Sequence, residues 1–314
     1  MDRITVVMSI YKPKKEWLKS QLISINNQTY KNIILLVWND CPKDNFDYEK
    51  FLKKYIVNIP FKYYIGEKNY GSNKAFELLT EKTNTDYIAY CDQDDIWKLN
   101  KLEILIKALK KENGDLIYSN MDVIDSKGKI IADRIEYIRP RQMAYNGNSI
   151  TKELLKRNFI TGCTILMKTN IAKRAIPFPK YIVHDHWLGI YSSIYGKILY
   201  CDKSLIQYRI HSQQQTGVLS GVFCKDDYYE KKILNYFYRI SKIKARLDKN
   251  EYIERAILWS RHRVLYYKNK KIKDIYNMLI YSMDIKITIF EILLPVIPDK
   301  IWNFFIELIK KGKI

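Results

Sequence analysis

Short apolar runs alternate with segments of helical periodicity through the first third of the chain. Runs rich in β-branched and aromatic residues predict buried strands at 4–8, 33–38, 61–65 and 86–91. Apolar residues at helical spacing predict helices at 15–27, 46–56, 72–82 and 99–111. This alternation is typical of a mostly parallel sheet with helices on both faces, an α/β fold of the Rossmann-like kind.

The pattern changes after residue 115. Strands are predicted at 116–124, 129–131, 161–167, 198–200 and 204–210, with a short helix at 185–195. From about residue 226 the pattern is helical, with helices predicted at 228–247, 252–267 and 272–283 and a final apolar stretch at 285–309. We therefore expect one α/β domain at 1–217, made of an α/β half at about 1–125 and a mixed half at 126–217, and a helical appendage at 218–314.

Composition narrows the class of protein. The 314 residues carry a formal charge of +20, which favours anionic partners such as phosphorylated small molecules, acidic lipid or nucleic acid. The five cysteines are scattered without a CxxC pair, which argues against a disulfide framework or a zinc site and favours a reducing cytosol. No run of about 20 apolar residues predicts a transmembrane helix, and the N-terminal apolar run is too short for a signal peptide.

Polar residues follow three of the predicted strands. They are Ser9 and Tyr11, Asp40, and the run Asp92-Gln93-Asp94-Asp95. Ligands of open parallel sheets bind beyond the carboxyl ends of the strands, so these side chains are expected to meet at one edge. Three carboxylates within four residues repel one another, and a hard divalent cation, Mg²⁺ or Mn²⁺, is the usual compensation. A solvated acidic turn is the alternative, and the preceding strand argues against it.

A set of motifs in order along residues 3 to 217 resembles the family 2 glycosyltransferases of the GT-A fold. The motifs are Val6-Val7-Met8-Ser9-Ile10-Tyr11, Ser24-Ile25-Asn26-Asn27-Gln28-Thr29-Tyr30, Asn39-Asp40, Asn69-Tyr70-Gly71-Ser72-Asn73, Asp92-Gln93-Asp94-Asp95-Ile96-Trp97, His184-Asp185-His186-Trp187 and Tyr208-Arg209-Ile210-His211. The form D-Q-D-D-x-W, with the late Y-R-x-H, is most similar to bacterial rhamnosyltransferase-like members. The resemblance makes 1–125 the nucleotide half and 126–217 the acceptor half.

The resemblance implies a nucleotide-sugar site at the strand ends. Ser9, Tyr11 and Asp40 would hold the base and ribose, with ordinary packing as the alternative for Tyr11. The loop that would lie against the nucleotide carries Asn69, Gly71 and Asn73. A glycine there permits positive φ or a close backbone approach, although a plain turn before a helix would also explain it.

The resemblance also divides the labour of the acidic run. Asp92 would contact the ribose or nucleotide, Asp94 would bind the metal, and Asp95 would orient the sugar or brace basic neighbours. His211 would complete the metal shell or touch the diphosphate, with a structural role as the alternative. Arg209 is a candidate phosphate contact on charge alone, as is Lys74, for which a solvated surface role is the alternative.

Family 2 resemblance implies inversion of the anomeric centre in a single displacement. The attacking acceptor hydroxyl must then lose its proton to a base. Asp185, at a predicted helix start, is the candidate, and an N-cap role is the alternative. Core packing and a binding platform remain open for Trp187, and the pattern argues against Cys163 as a nucleophile.

The implied function is metal-dependent sugar transfer onto a lipid-linked or polymeric saccharide of the cell surface. Rhamnose from dTDP-rhamnose is the expected donor group, and a UDP-linked glucose or galactose is the alternative. A hypothesis of another class is an inactive, basic membrane- or RNA-binding protein on the same fold. The intact acidic run argues against it, and no nucleic-acid motif occurs.

The C-terminal region combines basic, aromatic and apolar residues. Segment 255–273 holds seven Lys or Arg residues and no acid, and the apolar stretch 285–309 follows it. This favours peripheral attachment at the inner face of the plasma membrane. Packing on the core or formation of a homodimer is the alternative.

Overall fold

The computed structural model describes residues 2–139, 142, 144–145, 150–211, 221–247 and 249–310. The predicted boundary between residues 217 and 218 lies outside the described residues. The chain divides into two compact units. The first comprises Met1–Leu154 with Asn158–His211, and the second comprises Leu155–Arg157 with Ser212–Ile314.

The first unit is built on one mixed sheet. Its strands are β1 (Ile4–Ile10), β2 (Ile33–Asn39), β3 (Phe61–Ile65), β4 (Tyr87–Cys91), β5 (Ile96–Trp97), β6 (Leu116–Ile124), β7 (Ile130–Ala132), β8 (Leu166–Lys168) and β9 (Ile198–Arg209). The order is β3-β2-β1-β4-β8-β6-β9-β5, and β7 pairs with β6. The first four strands in this order are parallel, and β8 then joins antiparallel to both neighbours.

Helices connect the strands and supply the other half of the core. They are α1 (Lys15–Asn26), α2 (Tyr48–Tyr55), α3 (Ser72–Lys82), α4 (Lys101–Lys111), α5 (Thr151–Lys156), α6 (Thr169–Arg174) and α7 (His184–Tyr195). Apolar residues of α1 and α4 pack with β1 and β2 in one large buried cluster. Because β1 and β4 lie inside the sheet, nearly all their residues are buried, which explains their continuous apolar runs.

The first unit differs from the sequence prediction in several elements. The helices α5 and α6 and the 3₁₀ turn Ile135–Tyr137 were not predicted. The predicted strand 161–167 is a 3₁₀ turn, Gly162–Thr164, followed by the short β8. The two strands predicted at 198–200 and 204–210 are one strand, β9, whose register with β6 shifts where the polar residues 201–204 interrupt the apolar pattern. The two-residue β5 was not predicted, because only its pairing with β9 makes it a strand.

The second unit is helical where it is described. Its elements are α8 (Lys225–Tyr228), a π-helical segment (Tyr229–Leu234), α9 (Asn235–Lys244), α10 (Glu251–Asn269), α11 (Ile272–Ile280), α12 (Ile285–Leu293) and α13 (Asp299–Lys310). Among the described residues, no helix combines the length and the apolar character needed to cross a bilayer.

A buried ion pair ties α10 to α12. Arg263 donates from Nε to Glu291 Oε2 at 2.5 Å and from Nη2 to Glu291 Oε1, and both side chains are almost fully buried. The Trp259 ring lies 4.2 Å from the guanidinium carbon, and Tyr228 donates its hydroxyl to Glu291 at 3.1 Å. The carboxylate therefore has three donors and the guanidinium an aromatic face, which offsets their desolvation.

Replacing Arg263 by Met should lower the free energy of unfolding by about 3–5 kcal/mol, because it leaves the Glu291 carboxylate buried without its cation. Urea unfolding followed by circular dichroism measures this. The matched control is Lys53→Met, which breaks the exposed 2.7 Å pair with Glu49 and should cost at most about 0.5 kcal/mol. Equal small losses in both variants would contradict the stabilising role of the buried pair.

Candidate functional site

The carboxyl ends of β2, β1 and β4 lie side by side, and their following residues are linked by hydrogen bonds. The amide of Tyr11 donates to Gln93 Oε1 at 2.8 Å, and Gln93 Nε2 donates back to Tyr11 O at 3.3 Å. The amide of Asp40 donates to Ile10 O at 2.9 Å. The three polar segments predicted from the sequence are thus brought to one edge. Ser9 is half-buried there, while the Tyr11 side chain is 45% exposed and is not core packing.

Asp40 fixes the loop that precedes α3. Its buried carboxylate accepts hydrogen bonds from the amides of Tyr70 at 3.0 Å and Gly71 at 2.7 Å. Gly71 has φ +81°, a conformation that a side chain would strain, and Asn69 Oδ1 also accepts from its amide. Asn73 donates to Pro179 O at 3.0 Å, and Lys74 pairs with Glu77.

Asp94 and His211 meet at the open side of the acidic run. His211 Nε2 lies 2.8 Å from Asp94 Oδ2, although 117 residues separate them along the chain. Trp17 packs its ring 4.9 Å from the His211 ring. The side chains of both Asp94 and His211 keep part of their surface exposed, so a ligand can reach them.

Arg209 braces the acidic run from behind. Its amide donates to Asp95 Oδ1 at 2.9 Å, and its guanidinium donates to Asp94 O at 2.8 Å and to Asp125 O at 3.0 Å. The residue is 3% exposed, and burial lowers the pKa of its guanidinium. Two of its guanidinium contacts are thus to backbone oxygens, one of the motif and one of a neighbouring turn, and the phosphate contact stays a prediction.

A buried lysine lies close to the carboxylates of the acidic run. Lys101 is fully buried, donates from Nζ to Cys163 O at 2.7 Å, and lies 3.3 Å from the centre of the Trp97 ring. Burial lowers the pKa of Lys101 to about 7. Sequence reasoning missed this lysine, because at the start of a helix it resembles any surface lysine.

Burial also acts on the carboxylates. It raises the pKa of Asp95 to about 7, helped by the charge of Asp94, and it raises the pKa of Asp92 well above its ordinary value, helped by Asp95, Asp94 and Asp185. Ligand atoms of Asp92, Asp95 and Cys163 lie within 4.8 Å of one another. Burial raises the pKa of the Cys163 thiol as well, so it is protonated and suits hydrogen bonding to the carboxylates better than nucleophilic attack.

Asp185 is the second residue of α7, not its N-cap, which is Val183. Its carboxylate accepts from the His186 amide at 2.6 Å, the Gly162 amide at 3.0 Å and Asn158 Nδ2 at 2.9 Å. Burial raises its pKa to about 6 against the opposing effect of these donors. Asn158 was missed from the sequence, since nothing local distinguishes it from a loop asparagine. Trp187 is buried and donates to Ala175 O, as a core residue does.

The turn that holds Asp185 has no room for a side chain. A Cβ at Gly162 would lie 2.7 Å from His184 Nε2. His184 packs 4.1 Å from the Phe76 ring, and burial lowers its pKa to about 3, so the imidazole is neutral. The glycine thus lets its amide approach Asp185 closely.

Comparison with known proteins decides the family. The family model for glycosyl transferase family 2 matches residues 5–175, more than half of the chain. The chain belongs to glycosyl transferase family 2. It is 29% identical over 227 residues to an uncharacterized glycosyltransferase of Rickettsia conorii, and this alignment covers 69% of this chain and 36% of the relative. The match thus spans about a third of that relative's length.

One relative whose name states its reaction aligns over nearly its whole length. It is the E. coli UDP-Glc:alpha-D-GlcNAc-diphosphoundecaprenol beta-1,3-glucosyltransferase WfgD, 24% identical over 259 residues, which cover 79% of this chain and 95% of WfgD. Among solved structures, S. aureus TarS in complex with UDP-GlcNAc has a TM-score of 0.59 at 14% identity, covering 89% of this chain and 79% of TarS. These likenesses show that this family 2 glycosyltransferase has the predicted GT-A fold.

A second solved structure is the mannosyltransferase PcManGT of Pyrobaculum calidifontis in complex with GDP-Man and Mn²⁺, with a TM-score of 0.58 at 10% identity, covering 90% of this chain and 73% of that chain. GT-A glycosyltransferases commonly use a divalent cation. In this chain, Asp94 Oδ2 and His211 Nε2 lie 2.8 Å apart, so the two side chains could both hold such an ion. The carboxylate oxygen is the type of ligand that a hard divalent cation prefers. The buried Cys163 set does not fit a hard cation, because it includes a protonated thiol.

Replacing Gly162 by Ala should lower kcat about tenfold or more while donor binding is retained. The new Cβ must displace His184 or Asp185, and a shift of about 1 Å can cost on the order of a hundredfold. Steady-state kinetics and isothermal titration with nucleotide separate the two effects. Unchanged kcat in a folded variant would show that the close contact at Gly162 does not position Asp185.

Proposed function

We propose that this protein is an inverting, metal-dependent glycosyltransferase that moves a sugar from a nucleoside-diphosphate donor to a saccharide acceptor. Asp94 and His211 hold the divalent cation, and Asp185 is the general base. The base and ribose of the donor lie against Ser9, Tyr11, Asp40 and Asp92, beside the loop with Asn69, Gly71 and Asn73. Asp95 and Arg209 position the motif rather than contact the diphosphate.

The contact between Asp94 and His211 carries the proposal. A carboxylate beyond the end of β4 and an imidazole beyond the end of β9 meet at 2.8 Å with part of each side chain exposed, so an incoming ion can reach both. The carboxylate suits either Mg²⁺ or Mn²⁺ in a site shared with phosphates, and the imidazole favours Mn²⁺ as the softer of the two ions. The bound cation would supply Lewis-acid stabilisation of the departing diphosphate.

Asp185 performs the proton transfer. In the single displacement, the acceptor oxygen bonds to the anomeric carbon, the bond from that carbon to the diphosphate oxygen breaks, and the acceptor proton moves to the Asp185 carboxylate. Burial raises its pKa to about 6, so the base is ionised yet still basic at neutral pH. The amides of Gly162 and His186 and the side chain of Asn158 fix its oxygens before the acceptor arrives.

Two donors are proposed for this protein. The D-Q-D-D-x-W and Y-R-x-H motifs support dTDP-rhamnose as the first donor. The similarity to WfgD, whose name states that it uses UDP-Glc, supports UDP-glucose as the second. A panel of both donors, assayed for metal-dependent hydrolysis or transfer, distinguishes them.

The proposed acceptor is a lipid-linked or polymeric saccharide in the synthesis of a cell-surface polysaccharide. The name of WfgD states a diphosphoundecaprenol-linked acceptor, which supports a lipid-linked saccharide as the acceptor of this chain. The proposed place of action is the cytoplasmic side of the plasma membrane, where such acceptors and nucleotide sugars meet.

Replacing Asp94 by Ala should abolish transfer and remove the Mn²⁺-dependent part of nucleotide binding, because the cation loses its carboxylate. The melting temperature in dTDP or UDP, with and without Mn²⁺, measures the coupling. The wild type should be stabilised more by nucleotide with Mn²⁺ than by nucleotide alone, and the variant equally by both.

The matched control is Asp125→Ala, since the Asp125 carboxylate accepts from a backbone amide of an exposed turn and the variant keeps the backbone oxygen that accepts from Arg209. It should keep the Mn²⁺ effect. Near-normal transfer by Asp94→Ala would refute the metal assignment. If the wild type gains no stability from any nucleotide, the inactive membrane- or RNA-binding alternative is favoured instead.

Replacing Asp185 by Asn should lower kcat by about 10²–10⁴ with little change in donor affinity, because only the proton acceptor is lost. In the wild type, kcat should fall about tenfold per pH unit below a pH of about 6, where Asp185 becomes protonated. The residual activity of Asp185→Asn should lack this decline.

The discriminating control is Asn158→Ala. The Asn158 hydrogen bond lowers the pKa of Asp185, so its removal should move the inflection of the kcat profile to higher pH. A profile that stays in place, or an Asp185→Asn variant with full turnover, would show that the base lies elsewhere.

A further inference from the structure

Helix α12 buries polar residues and exposes apolar ones. Thr288 and Glu291 are buried: Thr288 accepts from Trp259 Nε1 at 2.9 Å, and Glu291 pairs with an arginine of α10. On the outward side, Ile285, Ile289 and Leu293 are 52%, 49% and 48% exposed. Their spacing of four residues places them on one stripe of the helix.

Helix α11 also exposes apolar residues. Its buried residues are Met278 and Asp274, whose Oδ1 lies 2.9 Å from His262 Nδ1. Its outward residues Ile272, Tyr276 and Leu279 are 82%, 64% and 43% exposed. Two consecutive helices thus present apolar stripes to solvent. Contiguous exposed apolar surface of this kind marks sites that bind another protein or a membrane.

Lysines are the exposed charged residues of this segment. Within residues 268–296, all of which the structure describes, the exposed charged side chains are Lys268, Lys270, Lys271, Lys273 and Lys286. The three acidic residues of the same segment are Asp274, Asp284 and Glu291, and each is buried or half-buried. The carboxylate of Asp284 accepts from the first amides of α12. Within this segment, no exposed acid offsets the positive charge of the five lysines. Outside it, the exposed Asp226 lies close enough to Lys270 to act on its charge, which leaves the other four lysines for a partner.

We propose that the outward stripes of α11 and α12, with these five lysines, form a docking face for an anionic lipid bilayer. Apolar side chains beside lysines, with a tyrosine among them, are what an interfacial helix presents to lipid. Each helix has nine residues, so the face lies in the interfacial layer and does not span it. Charge selects this partner, because anionic headgroups attract the lysines. This binding does not depend on the proposed transfer reaction.

Flotation of the full chain with vesicles tests the face. One set is phosphatidylcholine alone, and the other contains about a third phosphatidylglycerol. The wild type should float with the anionic set, less so at high salt, and far more weakly with phosphatidylcholine. Lys270→Gln, Lys271→Gln and Lys273→Gln together should lower the partition coefficient about a hundredfold, at about fivefold per lysine.

A second variant removes the apolar part of the face. Ile272→Gln, Leu279→Gln and Ile289→Gln together should lower partition by more than about tenfold. The matched control replaces by Gln three similarly exposed apolar residues of the first unit, Val57, Ile130 and Ile131, which are 71%, 52% and 48% exposed. The control for charge replaces by Gln the exposed Lys62, Lys107 and Lys111 of the first unit. Both controls should float like the wild type.

Two outcomes overturn the proposal. If the wild type does not float with the anionic vesicles, or if the control variants lose as much binding as the face variants, α11 and α12 are not a lipid-docking face. If the wild type ignores vesicles but is a dimer by light scattering, and the apolar variant is a monomer, the face binds a second copy of the chain instead.

Discussion

Mutual repulsion among Asp92, Asp94 and Asp95 is the constraint on which the candidate site at the carboxyl ends of β1, β2 and β4 depends. Three carboxylates at a strand end, two of them largely withdrawn from water, cannot all stay ionised without compensation. The protein supplies this compensation in two ways. The basic side chains of Lys101 and Arg209 lie beside the carboxylates, and raised pKa values favour the neutral forms of Asp92 and Asp95. Asp94 remains at the open side with His211. In the proposed function, a cation would complete the balance when the donor binds, which would couple metal binding to nucleotide binding.

Local pattern was enough to predict the parallel strands and the polar residues after them. Strand ends in a parallel sheet converge by construction, so Tyr11, Asp40 and the acidic run could be placed together before any coordinate was known. The bracing of that run could not be predicted. Arg209 and Lys101 act through contacts 62 to 115 residues away along the chain; the motif singled out Arg209 without showing these contacts, and Lys101 carries no local signal. The strand β5 was missed for the same reason, since its residues form a strand only by pairing with β9.

The helical unit shows the opposite limit. Sequence periodicity predicted helices over α9, α10 and α11, but it left α12 and α13 as one apolar stretch and could not tell which side of each helix faces inward. The usual expectation that the polar side of a helix is exposed fails for α11 and α12, because each buries an acidic residue while it leaves isoleucine and leucine exposed. Thr288 binds Trp259, Glu291 binds Arg263, and Asp274 meets His262. Once the ion pair occupies the interior, the isoleucines and leucines of α12 have only the outer surface left.

The contact between Gly162 and His184 has a consequence for how this chain can change over generations. The two positions share one small volume, and the amide of Gly162 must stay within 3.0 Å of Asp185. An enlargement at position 162 is therefore tolerable only if position 184 becomes smaller in the same lineage. Such a pair drifts jointly or not at all, so the two sites are expected to vary together among relatives that keep an acid at position 185.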